Sequence, residues 1–207
     1  MNVHAVKTTS GTEVSNPPIA RFLFDDTRMA IVWLVVRLLL AYEWLNAGWA
    51  KLNEPGWMVT GDSLKGFWVN AVKVPPDVPR AAISVDLYRS FLQGLIDAQA
   101  YTWFAKVVAI SEFTIGVLLL VGAFVGVAAF FGAVLNWNFI MAGSASVNGI
   151  MFAATVFIIL AWKTAGYIGL DRYLLSRLGT PWRPVSNSTG AEPKAAVPEP
   201  KLSTKGV

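Results

Sequence analysis

The chain has no cysteine. That excludes disulfides, thiolate metal sites, cysteine-ligated iron–sulfur clusters and persulfide chemistry on this subunit. Its one histidine, His4, stands in a polar N-terminal stretch. Haem held by two histidines and a histidine-rich metal site are excluded with it. No haem, no iron–sulfur cluster and no metal is therefore expected, and any redox chemistry has to use an organic cofactor or occur on a partner. A basic, aromatic-interleaved soluble module is also missing, so nucleic acid is not an expected partner. The net charge of +4 reads instead as topology and lipid contact.

What the 207 residues do have is apolar length. Hydrophobic residues make up 55% and mean hydropathy is +0.51. That is too apolar for a soluble domain of this size and points to an integral membrane protein. Nine tryptophans fit interfacial aromatic belts. The first 28 residues are polar, and Pro17-Pro18 argues against a helix among them. No signal peptide is apparent, because the first apolar run, 29–50, is too long for one.

That run is the centre of the reading. It is long enough to cross a bilayer, which takes about 20 residues, yet it carries Arg37 and Glu43. An ionised residue mid-span costs about 2.5–3.5 kcal/mol on insertion scales, so each charge needs a partner. At 100° per residue Arg37, Trp44, Gly48 and Lys51 share one face. Glu43 lies about 80–120° off it and about 9 Å along the axis from Arg37. An Arg37–Glu43 pair within the helix is not expected, so each looks to another helix or to a ligand.

Helix one is expected at 29–52, stopped by Pro55-Gly56. The connection 53–102 carries two amphipathic patterns. Leu64, Phe67, Trp68, Ala71 and Val72 follow the cap Asp62-Ser63; Ile83, Leu87, Phe91, Leu92, Leu95 and Ile96 form the second. Both helices either lie on a membrane surface or roof the bundle. The run 103–143 is too long for one span and must fold back at GAFVG, giving helices at 103–122 and 125–142. GSASVNG then turns into helix four, 147–165. A short amphipathic piece follows at 166–183, and the tail beyond reads as disordered. The expected fold is an all-α integral membrane four-helix bundle, 29–175, with amphipathic helices in its long first loop. It is flanked by a polar N-terminal tail, 1–28, and a C-terminal tail, 176–207.

Basic residues near the helix ends (Arg21, Arg28, Lys163, Arg172, Arg177 and Arg183) place both termini in the cytoplasm and loop 53–102 outside. Depth can then be counted. Glu43 and Glu112 both fall about 13 Å below the outer surface. Asn136 and Asn138 sit in the outer half of helix three, and Asn148 starts helix four. Lys51 and Lys106 flank the entrance, while Arg37 lies near the inner third. Two carboxylates at one level would raise each other's pKa and share a proton. Trp44, Trp49, Trp137 and Phe139 would enclose a flat ring, and amides would bond its oxygens. The same charges also serve as structural glue between helices, the lysines as snorkelling residues and the glycines as close packing.

Arg37 with Glu43-Trp44 and Gly48-Trp49-Ala50-Lys51, Glu112 with Gly116, Asn136-Trp137-Asn138-Phe139 with Ala142-Gly143, Asn148, and Gly169-Leu170-Asp171 occur in that order. On these residues the chain over about 29–175 resembles the DoxX/DoxD family, small four-helix membrane proteins that include a subunit of thiosulfate:quinone oxidoreductase. The resemblance implies a thiosulfate dehydrogenase (quinone) of the prokaryotic cytoplasmic membrane. Thiosulfate is oxidised to tetrathionate, quinone is the cofactor, and a second subunit or a homo-oligomer completes the system. Glu43 and Glu112 would move protons. Arg37, Trp44, Asn136 and Asn138 would hold quinone. Lys51, Lys106 and Asn148 would hold the anion, and no metal takes part. The alternatives are a non-catalytic subunit of a larger respiratory or photosynthetic complex and, more weakly, a small solute transporter without a detectable repeat.

Overall fold

A computed structural model describes residues 16–178 and, ahead of them, the backbone of two two-residue strands, Val6–Lys7 and Glu13–Val14, paired antiparallel. The tail expected to be disordered lies almost wholly outside the described residues. The helices in chain order are α1 (Pro18–Asp25), α2 (Ala30–Leu52), α3 (Pro55–Met58), α4 (Asp62–Val72), α5 (Asp86–Asp97), α6 (Tyr101–Val121), α7 (Val125–Met141), α8 (Ser146–Leu160), α9 (Trp162–Ala165) and α10 (Asp171–Arg177). Two stretches, Thr27–Leu52 and Tyr101–Val121, are long and apolar enough to cross a membrane; α7 and α8 are apolar but shorter.

Pro55-Gly56 follows the end of α2 at Leu52 as expected, whereas Pro17-Pro18 acts against expectation, and both sites also start a helix. Pro18 opens α1 and Pro55 opens α3, each in the first helical turn. There the missing N–H would have no partner anyway and the fixed φ is already helical. The N-terminal stretch is therefore not a structureless tail up to residue 28. Phe24 of α1 stacks on Trp33 at 5.8 Å, and Trp33 Nε1 donates to Leu23 O at 2.7 Å.

Helices α2, α6, α7 and α8 form a ring in which each packs on the next. The α2–α6 seam is antiparallel and set by glycines. Gly48 faces the backbone of Phe113, and Gly116 faces Leu45. A β-carbon at Gly48 would lie 2.4 Å from Phe113 N, so only glycine lets the two backbones approach this closely. The buried face of α2 is the one expected: Arg37, Trp44 and Gly48 lie on it, with Trp33, Leu40 and Ala41. Inside the ring they meet Ile115, Leu119, Ala128, Ala129, Met151 and Ile158.

The α6–α7 hinge falls within GAFVG. Gly122 (φ +70°) and Phe124 (φ +49°) both take the left-handed conformation. Phe124 is the costly one, because its β-carbon is strained there. Asp171 holds the turn: its carboxylate accepts from Phe124 N at 2.5 Å and from Val125 N at 2.8 Å. Leu170 N and Asp171 N donate in return to the carbonyls of Val121 and Gly122. Burial pushes the Asp171 carboxyl above its ordinary range, against the two amides and Arg37, which pull it down. Asp171→Ala is expected to leave two first-turn N–H groups unmet. It should cost about 3 kcal/mol, since bonds to a charged acceptor are worth about 1.5–3 kcal/mol each. Thermal unfolding followed by helical circular dichroism checks this, and Asp171→Asn, which keeps one acceptor oxygen, should fall between.

At the opposite end of the bundle the first-loop helices form a roof. Leu64, Trp68 and Ala71 of α4 pack with Leu92 of α5, Tyr101 and Ala105 of α6, and Ala142 after α7. Trp68 meets Phe104 edge-on at 5.4 Å. Ile83, expected inside the second amphipathic helix, precedes α5 and is fully buried. Helix four carries an interruption at Ala161 that divides α8 from α9.

Candidate functional site

The α2–α6 register places Lys51 beside Glu112. Lys51 Nζ donates to Glu112 Oε2 at 2.6 Å; the carboxylate is 1% exposed and the lysine side chain 18%. Lys51 does not point out to solvent. Its ammonium also lies 5.1 Å from the ring centre of Trp57 and 5.8 Å from that of Phe139, where ring quadrupoles add to the attraction. A buried charge pair with one tight contact and two aromatic faces is a demanding arrangement. Each charge has been taken out of water and depends on the other.

The pair opens on a cavity of about 280 Å³ beneath the roof. Glu43, Trp44, Ala47 and Lys51 line it from α2 and Glu112 from α6; Trp57, Phe67 and Phe139 close it above; Ser144, Val147, Asn148 and Met151 complete it at the start of α8. Apolar walls with a few directed polar groups are the usual make-up of a small-molecule pocket. Asn148 is tied back to its own turn, donating to Ser144 O at 2.9 Å.

Five of the nine candidate residues thus share one chamber: Glu43, Trp44, Lys51, Glu112 and Asn148. The expected carboxylate pair does not form. Glu43 sits on the flank of α2 and is exposed, and Glu112 is matched to Lys51 instead. The reason is helical phase: Glu43 is one residue, and so about 100°, away from the buried Trp44. Asn136 is fully buried inside the ring, whereas Asn138 is exposed, bonding Val134 O and accepting from Tyr88 Oη at 3.2 Å. Asn138 faces a second, apolar cavity of about 180 Å³ under α4 and α5.

Arg37 stands apart from the chamber. Its Nη1 donates to Ala165 O and its Nη2 to Ile168 O, both at 2.8 Å, at the hinge end of the bundle. Lys106 is half-buried on α6 and makes no ion pair among the described residues. Trp49 and Trp137, expected to wall a ring, are 62% and 53% exposed.

Sequence reading missed Trp57, Phe67 and Met151 as chamber walls. It also missed Asp171 as the anchor of the hinge and Thr155 as a buried hydroxyl in α8. Trp57 had a signal, because a proline-started turn right after Lys51 returns its ring over that lysine. Thr155 had a weaker one, as the hydroxyl in the apolar part of α8, past Ser146 at its start, where the ordinary reading is a bond back to its own backbone. Searches of family models, curated proteins and solved structures find no match to this chain.

Proposed function

We propose that the chain is an integral-membrane four-helix bundle that binds quinone in the chamber beneath its roof, as the membrane subunit of a quinone-linked oxidoreductase with thiosulfate as donor. The observation that carries it is the Lys51–Glu112 pair lining an aromatic-walled cavity. A movable proton, a cation and flat walls are what two-electron reduction of a ring carbonyl needs. The membrane part is supported by the outward faces. Ile31 is 66% exposed, Leu39 64% and Ile150 75%, a surface matched to lipid rather than water. With the termini in the cytoplasm, α8 and α9 together give the fourth span.

In the proposed reaction two thiosulfate ions join through their terminal sulfurs to give tetrathionate and release two electrons. Quinone takes these with two protons to become quinol. Glu112, held by Lys51, passes protons toward the ring, and Glu43 at the flank of the chamber exchanges them with the outside. Lys51 and Asn148 face the approaching anion. The donor is taken from the DoxX/DoxD resemblance, and the aromatic walls of the chamber support a ring-shaped guest.

Thiosulfate-dependent reduction of decylubiquinone by the reconstituted protein tests the reading. Wild type should turn over, and Glu112→Gln should lose at least about tenfold, toward the low end of what positioned proton transfer contributes. No turnover in wild type, or wild-type turnover in both Glu112→Gln and Glu43→Gln, overturns it. A scaffold role in a larger complex is favoured by one observation: both terminal nitrogens of Arg37 and both carboxylate oxygens of Asp171 fasten helix ends. Co-migration with a large redox complex in mild detergent, with no quinone retained by the isolated chain, would select it.

A further inference from the structure

Besides Arg37 Nε at the hinge end, three side chains inside the ring carry buried polar atoms that nothing among the described residues meets. Trp44 Nε1, both amide atoms of Asn136, and Thr155 Oγ1 are buried and have no hydrogen-bond partner among the described residues. Trp44 is 2% exposed; Asn136 and Thr155 are fully buried. Buried polar groups are nearly always paired, because stripping them of water without replacement is costly. One such atom is an oddity, but four on three helices facing one interior call for an occupant.

Packing brings them to one level. The Trp44 indole lies against Gly132, where a β-carbon would be 3.4 Å from Nε1. Asn136 is one turn along α7 from Gly132, about 6 Å. Across the antiparallel α7–α8 contact, Trp137 meets Phe152 at 5.9 Å. That register puts Thr155 about 3 Å along the axis from Asn136. Glu112, ten residues before Gly122, and Asn136, eleven after Val125, stand at similar heights of about 15 Å above the hinge. Of the three side chains Trp44 itself lines the chamber; Asn136, one turn from the glycine that Trp44 packs on, and Thr155, one turn on from the lining residue Met151, stand behind it in the ring. Together they offer an indole N–H, an amide N–H₂, an amide oxygen and a hydroxyl, which is a set for one neutral oxygen-bearing group and not for a second charge.

We propose that Trp44, Asn136 and Thr155 form the station that receives the inner oxygen of the ring, with the Lys51–Glu112 pair at the outer oxygen. The assignment rests on the quinone reading and adds to it both the orientation of the guest and Thr155, a residue with no role until now. A carbonyl oxygen accepts from Trp44 and the Asn136 amide; once reduced to a hydroxyl it also donates to Asn136 Oδ1 or Thr155 Oγ1. The same four atoms therefore serve both redox forms. Water offers the same chemistry, and the experiment separates the two.

Decylubiquinone is titrated into detergent-solubilised full-length protein while tryptophan fluorescence is followed, in wild type, Thr155→Val, Thr155→Ser and Asn136→Leu. Thr155→Val keeps the shape and removes the hydroxyl, so Kd should rise about 3–10-fold, as expected for one lost hydrogen bond. Thr155→Ser should stay within about twofold of wild type, and Asn136→Leu should lose more than Thr155→Val. The melting temperature of guest-free Thr155→Val should be unchanged or higher, because an unmet hydroxyl has been replaced by a methyl group. A lower melting temperature with unchanged Kd would mean that the station holds only structural water, and would overturn the proposal. Unchanged Kd in both Thr155→Val and Asn136→Leu would overturn the station and leave the quinone reading standing. Failure of wild type to bind the quinone would overturn that reading and the occupant with it.

Discussion

Lys51→Met is expected to destabilise the protein by about 3–5 kcal/mol, the cost of leaving one member of a buried ion pair alone. Glu112 is almost completely enclosed and Lys51 is its ion-pair partner among the described residues, so no second cation replaces the ammonium once it is gone. The side chain must then take up a proton or force the seam between α2 and α6 to open. Lys51→Met combined with Glu112→Leu should recover most of the loss, since replacing both charges by apolar groups of similar size is often neutral. A double-mutant cycle read by thermal unfolding in detergent gives the coupling directly. The recovered double variant should have a native melting temperature and no quinone reduction, which separates the pair's structural share from its chemical one. Wild-type stability in the single variant would show that the pair does not hold the two helices.

Gly48→Ala should be nearly as damaging, by about 3 kcal/mol, the upper end for overpacking. The added methyl would fall 2.4 Å from Phe113 N and 2.7 Å from its α-carbon. Those are backbone atoms and cannot swing aside, so α2 must lift away from α6, and Lys51, one turn further on, leaves Glu112. Loss of quinone binding should accompany the loss of stability. The matched control is Gly66→Ala in the middle of α4, where nothing lies within 4 Å of the new atom. There the helix gains about 0.5–1 kcal/mol from alanine's higher propensity. A Gly48→Ala protein as stable as wild type would contradict the seam as described.

Much of this was readable from residue spacing. The stripe Arg37–Trp44–Gly48–Lys51 follows from 100° per residue, and α2 buries its first three members and half-buries Lys51. The hinge at GAFVG follows from an apolar run too long for one span. The loop helices follow from their periodicity, α4 closely and α5 in part: Ile83 precedes α5, and Leu87 and Phe91 of the expected apolar face are exposed. Tertiary register was not readable. Nothing local says that Lys51 rather than Glu43 meets Glu112; that choice is made by which glycines let α2 and α6 touch. The prolines misled because their effect depends on position: Pro18 breaks a helix from within but starts one at its edge. Arg37 was legible as a charge needing partners, but not that its partners are two backbone carbonyls beyond α8.

Phe67 and Phe139, in edge contact at 6.0 Å, border both cavities. They are walls common to the polar compartment and the oily one. A side-chain rotamer change is a far smaller motion than displacing a helix. A swing of the Phe67 ring about its own χ1 would therefore join the two spaces while every helix stayed where it is. The size limit for a guest is then set by the two spaces taken together, and a molecule with a polar head and a greasy tail can be longer than either one alone.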